Sequence, residues 1–474
     1  MLFSVPSTMA INTSIPNNHF LDFDPLVDVT VTVDIIKIRS LEKEDIQLFF
    51  EEVIDANSDP DFYVKVFINN QEFVSEVWGN TRYIYDPQWS ATLNVDDDEE
   101  FVDIKLQLWD FKDENVNNDR LCDISGDYGN SDDGYDIELT YSIKTGRWTG
   151  DDSLNADPSG YGRLNGCDDG TIYEKDRDCE LWFNIYQNDY DGDMIPYWAE
   201  ENIYGTDPEL EDSGDPDGDD IPTSWEWKWD YNPFVWEDHV NTDPDGDSIN
   251  NYEEYLTSEW FSDPFRKDIF VEMDKMEDGP NGEITYFPEG SKEIIQTAFN
   301  RRNMVFHLDD GCMGGSEAVP FDEKADYGEI INFYKDYFLH GSSNNWRRGV
   351  FHYGIVTYSV QGPAGFMFRP NAFQITSKGH EKISNEWWAD RDVVYASAYM
   401  HELGHTFNFN PIPGHNKASY YPWQIGWWIN RPYKSCMNYG YMYYTVDYSD
   451  GTRSYPDLND WERMDFSYFE RSWL

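Results

Sequence analysis

Basic residues are scarce in this sequence. Its 474 residues include 34 Lys or Arg against 92 Asp or Glu, which gives a formal net charge of −58. Nucleic acids and anionic membrane surfaces bind proteins through a basic face, so we predict no nucleic-acid partner. A chain with this charge repels itself unless cations neutralise it. The composition therefore predicts bound calcium, a salty habitat, or both.

Long apolar runs and cysteines are also few. Every apolar stretch is shorter than the roughly 18 residues of a membrane span, so no transmembrane segment is predicted. Residues 1–23 lack a basic region, and both a disordered start and a signal-peptide remnant fit them. Cys167 and Cys179 flank a polar stretch and form the expected disulfide pair. The remaining cysteines are Cys122, Cys312 and Cys436, so the odd number leaves one thiol unpaired in the monomer.

What the chain does contain points to several domains. Aromatic residues make up 17% of the sequence and supply large buried surfaces, and the length predicts two to four domains. Between residues 24 and 187, apolar and polar residues alternate in the segments 29–35, 62–68 and 102–109. Loops rich in Asp, Asn and Gly separate them. This pattern predicts an N-terminal antiparallel β-sandwich.

Acidic residues lie near two of these predicted strands. Asp59 and Asp61 precede the second, and Asp110, Asp113 and Asp119 follow the third. The arrangement resembles the calcium- and phospholipid-binding sandwich of synaptotagmins. A lysine at position 112 stands where that family has a second loop aspartate. The resemblance implies a calcium site in these loops, and ordinary solvated loops are the alternative.

Residues 188–262 contain a threefold repeat of acidic loops. Each copy has carboxylates at loop positions 1, 3, 5 and 12, followed by a segment that favours a helix. This is the EF-hand spacing, which brings oxygens together around one hard cation. The predicted calcium ligands are Asp189, Asp191, Asp193 and Glu200; Asp215, Asp217, Asp219 and Glu226; and Asp243, Asp245, Asp247 and Glu254.

The repeat resembles dockerin-like or thrombospondin-type calcium repeats. Position 6, a glycine in the EF-hand, holds Met194, Asp220 and Ser248 here, while glycine stands at position 4. The loop geometry is therefore expected to depart from that of the EF-hand. Three calcium ions would leave the chain near −52, so a halophilic source or further ions fit as well.

Residues 263–474 are predicted to form a mixed α/β domain. An apolar strand near 265–274 precedes an amphipathic helix at 291–301, and further strands follow at 305–308 and 354–358. Within this region, an apolar helical segment at 392–400 leads directly into the motif His401-Glu402-Leu403-Gly404-His405.

This motif has the spacing of a zinc site. On a helix, His401 and His405 are one turn apart on the same face, so both imidazoles can reach one tetrahedral ion. Glu402 stands beside that face, where it can accept a proton from a water molecule that zinc activates. The pattern therefore predicts one catalytic zinc ion with Glu402 as the general base.

The surrounding residues resemble the metzincin peptidases. A third histidine, His415, follows the helix, and Ser435-Cys436-Met437-Asn438-Tyr439 resembles the methionine-containing turn of that family. The resemblance implies that His415 is the third zinc ligand and that Met437 forms an apolar floor. It implies that Tyr439 stabilises the oxyanion, as in astacin- and serralysin-like members. The segment 365–368 would then be the edge that binds an extended peptide.

The spacing departs from the family at two positions. Asn408 and Pro411 occupy the usual places of the helix-ending glycine and of the third ligand. Asn408 can still end the helix in the left-handed conformation, and Gly414 can turn His415 back toward the metal. A gluzincin-like site with an acidic third ligand, such as Glu462, is the alternative.

Two functions compete at this stage. The first is a secreted, calcium-stabilised, zinc-dependent endopeptidase that acts on proteins or peptides. The second is a calcium-dependent extracellular binding or adhesion protein with an inactive peptidase-like scaffold. The presence of Glu402 favours the first, because a scaffold needs no general base. The motif alone also leaves room for hydrolysis of a non-peptide substrate.

Overall fold

A computed structural model describes most of the chain. The described residues are 28–42, 59–112, 119–126, 135, 137–152, 160–170, 172, 177–212, 214–387 and 389–470. The predicted disordered start or signal remnant at 1–23 and the loop residue Asp113 lie outside them. Within the described part, none of the helices has the length and apolarity that a membrane crossing requires.

The N-terminal region is a sandwich of two sheets with antiparallel strand pairs, which confirms the predicted fold. One sheet has the order β4-β1-β10-β9 and the other the order β3-β2-β5-β7-β8, with β6 added to β5. The strands are β1 (Thr30–Ser40), β2 (Phe62–Ile68), β3 (Gln71–Val74), β4 (Tyr83–Asn94), β5 (Phe101–Asp110), β6 (Arg120–Leu121), β7 (Ile137–Ser142), β8 (Arg147–Gly150), β9 (Gly162–Asn165) and β10 (Cys179–Gln187).

Alternation along the strands explains the sandwich. On β5, Val102, Ile104, Leu106 and Leu108 are buried in the core, while the residues between them are more exposed. Burying each of these side chains is worth about 1.5–3 kcal/mol. A shift of one residue in register would expose all four, so this pattern fixes the pairing.

The cysteines do not form the expected bridge. All five are free thiols. The sulfur of Cys167 lies 3.4 Å from Asp178 Oδ2, whereas the thiol of Cys179 faces Cys122. The predicted Cys167–Cys179 disulfide is therefore wrong, because the two side chains pack against different neighbours.

In the central region, each acidic loop runs into a short helix. These are α1 (Tyr197–Ala199), which continues as a π-helical turn over Glu200–Tyr204, α2 (Thr223–Lys228) and α3 (Asn251–Thr257). An isoleucine at loop position 7 is buried in every copy, at Ile195, Ile221 and Ile249. These side chains anchor the loops, so that the three copies share one backbone course.

The C-terminal region is a mixed α/β domain with a six-stranded sheet. The main order is β12-β11-β14-β16-β15; β13 pairs with β11, and β15 is antiparallel to β16 at one edge. The strands are β11 (Asp268–Met276), β12 (Val305–Asp309), β13 (Ala318–Val319), β14 (Phe351–Thr357), β15 (Gly365–Arg369) and β16 (Ala372–Thr376). The helices are α4 (Glu289–Asn300), α5 (Tyr327–Phe333), α6 (Arg347–Val350), α7 (Ser377–Trp387), α8 (Arg391–Thr406) and α9 (Ile425–Asn430).

Polar contacts join the sandwich to this domain. Arg39 on β1 forms an ion pair with Glu293 at 3.0 Å and donates to Thr297 Oγ1 at 3.2 Å, both on α4. Arg266, just before β11, pairs with Asp152 of the sandwich and with Asp263 at 2.7 Å each. Since α4 also packs against α8, the sandwich is attached to the helix that carries the zinc-site motif.

Candidate functional site

Helix α8 positions the first two histidines. Asp390 caps its N-terminus by accepting hydrogen bonds from the backbone N–H groups of Asp392, at 2.9 Å, and Val393, at 3.3 Å. The helix is buried along most of its length. It places the rings of His401 and His405 5.0 Å apart, as one helical turn requires.

The chain then returns His415 to the same place. Asn408 ends the helix with a φ of +58°, and Gly414 has a φ of +77°. A side chain at Gly414 would collide with the Asn438 amide, so the turn needs glycine for two reasons. His415 Nε2 lies 3.2 Å from His401 Nε2, and the ligand atoms of the three histidines lie within 4.8 Å of one another.

This group fits zinc. Nitrogens bound to one tetrahedral zinc ion at 2.0–2.1 Å are about 3.3 Å apart, close to the separation of His401 and His415. Burial and the neighbouring imidazoles lower the pKa of His401, and burial also lowers the pKa of His405 and His415. All three rings are thus neutral, as metal ligands must be. His401 Nδ1 contacts the Cys436 carbonyl at 2.8 Å, which fixes the ring orientation.

The structure does not bring Glu462 into the histidine group. Its side chain is exposed on the short 3-10 turn Trp461–Arg463. The metal-ligand group at the end of α8 consists of the three histidines.

A tight turn lies beneath the histidines. Met437 is fully buried, and a side chain on Gly404 would come within 2.5 Å of its sulfur, so the glycine permits the close approach. Asp460 holds the start of the turn through hydrogen bonds from the hydroxyls of Tyr433 and Ser435 at 2.7 Å each. The sequence analysis missed Asp460, because no local spacing links it to the motif.

Glu402 is buried beside the histidines and next to an edge strand. It is 4% exposed, and its carboxylate packs directly against Gly365 at the start of β15. Among the described residues, no lysine or arginine forms an ion pair with it. Burial raises the pKa of Glu402 to about 8. A carboxyl group in this position readily accepts and releases a proton near neutral pH.

Three tyrosines line the same site. The Tyr439 ring lies 4.3 Å from the His415 ring, and Tyr420 stacks on Tyr439 at 4.8 Å. Burial, with smaller effects of Tyr420 and Glu402, raises the pKa of Tyr439 to about 12. Burial and the nearby Glu402 also raise the pKa of Tyr443. The phenols are therefore protonated donors. The sequence analysis predicted Tyr439 but missed Tyr420 and Tyr443, which no motif marks.

The acidic loops adopt one conformation in all three copies. The residues at position 6, Met194, Asp220 and Ser248, have φ values of +79°, +75° and +75°. They thus occupy the left-handed region, although none of them is glycine. In the first loop, Asp189 Oδ2 accepts the backbone N–H groups of Gly192 and Met194 at 2.9 Å each. The turn of the EF-hand is thereby made without its usual glycine.

The loops concentrate negative charge. Close groups of ligand oxygens form from Asp189, Asp193 and Glu200, from Asp215, Asp217 and Asp219, and from Asp243, Asp245 and Asp247. Asp191 neighbours the first group, Glu226 faces Asp219, and Glu254 is buried beside Asp247.

Burial and neighbouring carboxylates dominate the electrostatics of these loops. Burial, followed by Asp193 and Asp191, raises the pKa of Glu200 to about 8. Burial and nearby acids likewise raise the pKa of Glu226 to about 7, against a favourable contact with His239. Such shifts show that the carboxylates destabilise one another, and a divalent cation would relieve this.

The acidic residues of the sandwich differ, because protein groups already contact them. Asp59 pairs with Arg82 at 2.9 Å, and Asp110 pairs with Lys112 at 2.6 Å. Asp119 accepts hydrogen bonds from the Tyr63 hydroxyl and from the Lys112 backbone, both at 3.0 Å. Here a lysine ammonium lies beside the aspartate that the synaptotagmin-like pattern assigns to calcium.

Comparison with known proteins concerns the sandwich. The family model of the C2 domain matches residues 29–142. Similar solved structures include human GIVD cytosolic phospholipase A2 in complex with a fluorophosphonate inhibitor and terbium chloride (12% identity, 34% of this chain, 17% of that chain, TM-score 0.19). Others are a C2 domain of plant extended synaptotagmin 1 (12%, 34%, 95%, 0.19) and the calcium-bound pair of C2 domains of extended synaptotagmin 2 (11%, 35%, 47%, 0.20).

These similarities reach only part of the molecule. The chain spans about a sixth of the length of the phospholipase. No curated protein matches the sequence. Residues 29–142 thus form a C2 domain, similar to domains that bind calcium and lipids, within a larger multidomain chain.

Proposed function

We propose that this protein is a calcium-stabilised, zinc-dependent endopeptidase of the metzincin type. One observation carries the proposal: three neutral histidines meet at the open edge of a sheet, beside a buried carboxylate with no basic partner among the described residues. A structural role for Glu402 would call for a cation or hydrogen-bond donors around it, since a buried carboxyl group without them is costly.

The edge strand supplies a place for a peptide. β15 is antiparallel to β16 and has no partner on its outer side among the described residues. Its backbone N–H and C=O groups can therefore pair with an extended substrate. Since Gly365 at its start contacts Glu402, a peptide bound along β15 passes the carboxylate and the histidine group.

The chemistry then divides among residues of the chain. His401, His405 and His415 would hold zinc, which would act as a Lewis acid and lower the pKa of water. Glu402 accepts the proton of the attacking water and passes it to the leaving amine. Tyr439, protonated at neutral pH, donates a hydrogen bond to the oxygen that becomes negative.

The acidic repeat and the C2 domain favour an extracellular setting for this activity. The loops need divalent cations to offset their repulsion, and calcium is plentiful outside cells. In the proposed role, calcium stiffens the connection between the sandwich and the peptidase domain. The C2 match also supports the competing function, a calcium-dependent binding or adhesion protein, because the C2 domains it resembles bind calcium and lipids.

Glu402→Gln separates the two functions. The amide keeps the size of the side chain but cannot accept the proton, so casein hydrolysis should fall by a factor of at least about 100. Zinc content, measured by elemental analysis, should stay unchanged. The control Glu386→Gln, an exposed change on the neighbouring helix α7, should keep activity. Undiminished hydrolysis by Glu402→Gln would rule out the assigned role, and an inactive wild type with full zinc would favour the binding function.

A further inference from the structure

The second acidic loop differs from the other two by a buried histidine. His239 begins a 3-10 turn, His239–Asn241, and is 1% exposed. Its Nε2 atom lies 3.2 Å from Asp219 Oδ2 and 3.7 Å from Glu226 Oε1. Ligand atoms of these three residues lie within 4.8 Å of one another. A nitrogen donor is thereby added to the carboxylates of this loop.

The atoms that face each other here lack hydrogen-bond partners. Nε2 of His239 and both carboxylate oxygens of Glu226 are buried without a hydrogen bond among the described residues. Glu226 is also fully buried. Buried polar atoms in native proteins are nearly always satisfied, so an exception calls for an ion or a bound group.

The ring of His239 is held in one orientation. It packs edge-on against Trp225, at 5.9 Å between centroids, and Tyr231, at 5.0 Å. Nδ1 lies 3.0 Å from the side-chain amide of Asn251. The amide can present its oxygen to Nδ1–H, which leaves the lone pair of Nε2 pointing at the carboxylates. This is the outer hydrogen bond that metal-binding histidines usually make.

The repeat itself shows that this donor is an addition. In each copy, the second oxygen of the position-5 aspartate accepts a downstream backbone N–H group, from Asp212, Glu237 and Asp268 respectively. His239 stands two residues after Glu237. The equivalent positions after the first and third loops hold Gly214 and Phe270, neither of which has a side-chain donor.

We propose that the second loop binds a divalent transition metal such as zinc, through Asp219, Glu226 and His239, rather than calcium. Calcium takes oxygen ligands, whereas imidazole nitrogen with carboxylate oxygen suits zinc. The inference refines the proposed role of the repeat region. It does not depend on peptidase activity.

Counting zinc in the presence of calcium tests the inference. Protein equilibrated with micromolar zinc and millimolar calcium should hold two zinc ions, one at each histidine site. His239→Gln should lower zinc affinity at its site by about 100-fold or more, since even outer-shell changes cost 10- to 100-fold, and so retain one ion. His401→Ala should also retain one. The exposed control His340→Gln should retain two.

The outcomes distinguish this inference from the proposed peptidase site. If the wild type holds one zinc ion, lost in His401→Ala and kept in His239→Gln, the second loop is an oxygen-only site and the inference fails. If the single ion is lost in His239→Gln and kept in His401→Ala, the peptidase zinc site fails and the inference stands.

A spectroscopic test keeps the inference falsifiable should His239→Gln not fold. In His401→Ala, the zinc-edge X-ray absorption spectrum should show one imidazole and otherwise oxygen ligands. A shell of oxygen atoms alone would overturn the proposal, as would a zinc-free His401→Ala protein whose wild-type parent binds one ion. In either case His239 would act as a buried cation that partly neutralises the loop.

Discussion

The histidine group at the end of α8 and the acidic loops of the repeat both suit metal ions, but they differ in charge. The three imidazoles are neutral, so they can stand together without an ion at small cost. The loop carboxylates are negative, buried and mutually repulsive, and the raised pKa of Glu200 and Glu226 reflects that repulsion. Zinc removal should therefore stop chemistry and leave the fold, whereas calcium removal should loosen the fold itself.

Calcium removal is expected to have the largest effect. A ligand at 100 times its Kd stabilises the folded state by about 2.7 kcal/mol for each site. Loss of one such ion should lower the melting temperature of a domain of this size by roughly 5–11 °C, and loss of several by more. Calorimetry with calcium and with a calcium-selective chelator measures this. A melting temperature that ignores calcium would break the comparison.

The next effect concerns the third zinc ligand. His415→Ala should lower zinc affinity by about 100-fold and abolish most hydrolysis, while the melting temperature in calcium changes by only a few degrees. Glu462→Ala, on the exposed 3-10 turn, should keep both. Zinc retention by the first variant and loss by the second would instead support the gluzincin-like alternative.

A smaller effect is expected at Asp460, which holds the methionine turn. Asp460→Asn weakens the hydrogen bonds from Tyr433 and Ser435, so zinc affinity should fall by about tenfold through displacement of the Cys436 carbonyl that orients His401. A competition titration with a chromogenic chelator gives the affinity. An unchanged affinity would show that the histidine group does not rely on this support.

The smallest effect is a dependence on pH in metal-free protein. The pKa of Glu200 and of Glu226 is raised from 4.5 to about 8 and about 7, so the folded state binds more protons than the unfolded state between these values. Acidification from pH 8 to 6 should thus stabilise the chelated protein, by about 2–4 °C, since solvent screens these partly exposed groups. Calcium-loaded protein should not gain stability, because protons compete with the ion. Parallel melts at both pH values compare the two.

The sequence predicted what depends on local pattern. Alternation located the sandwich strands, and the spacing of carboxylates located the three loops, because both patterns are properties of short segments. The helix that carries His401 and His405 was visible for the same reason, as was the helix end at Asn408. These features need no knowledge of distant contacts.

The missed features depend on distant parts of the chain. Arg39 reaches α4 across more than 250 residues of sequence, and His239 joins a loop whose first ligand lies 24 residues earlier. Asp460 and Tyr420 approach the histidines only after the C-terminal segment has folded over α8. The expected Cys167–Cys179 bridge failed likewise, since proximity in sequence does not determine which way two side chains face.

The left-handed residues at position 6 of the loops offer a route to engineering. Met194 and Ser248 adopt a conformation that costs a residue with a Cβ atom about 1–2 kcal/mol, whereas glycine enters it freely. Exchanging them for glycine would trade a stiffer unfolded chain for a relaxed folded one, with opposite signs. A heat-resistant version of this protein is therefore better sought in the loop positions with ordinary backbone angles, where added stiffness carries no conformational cost.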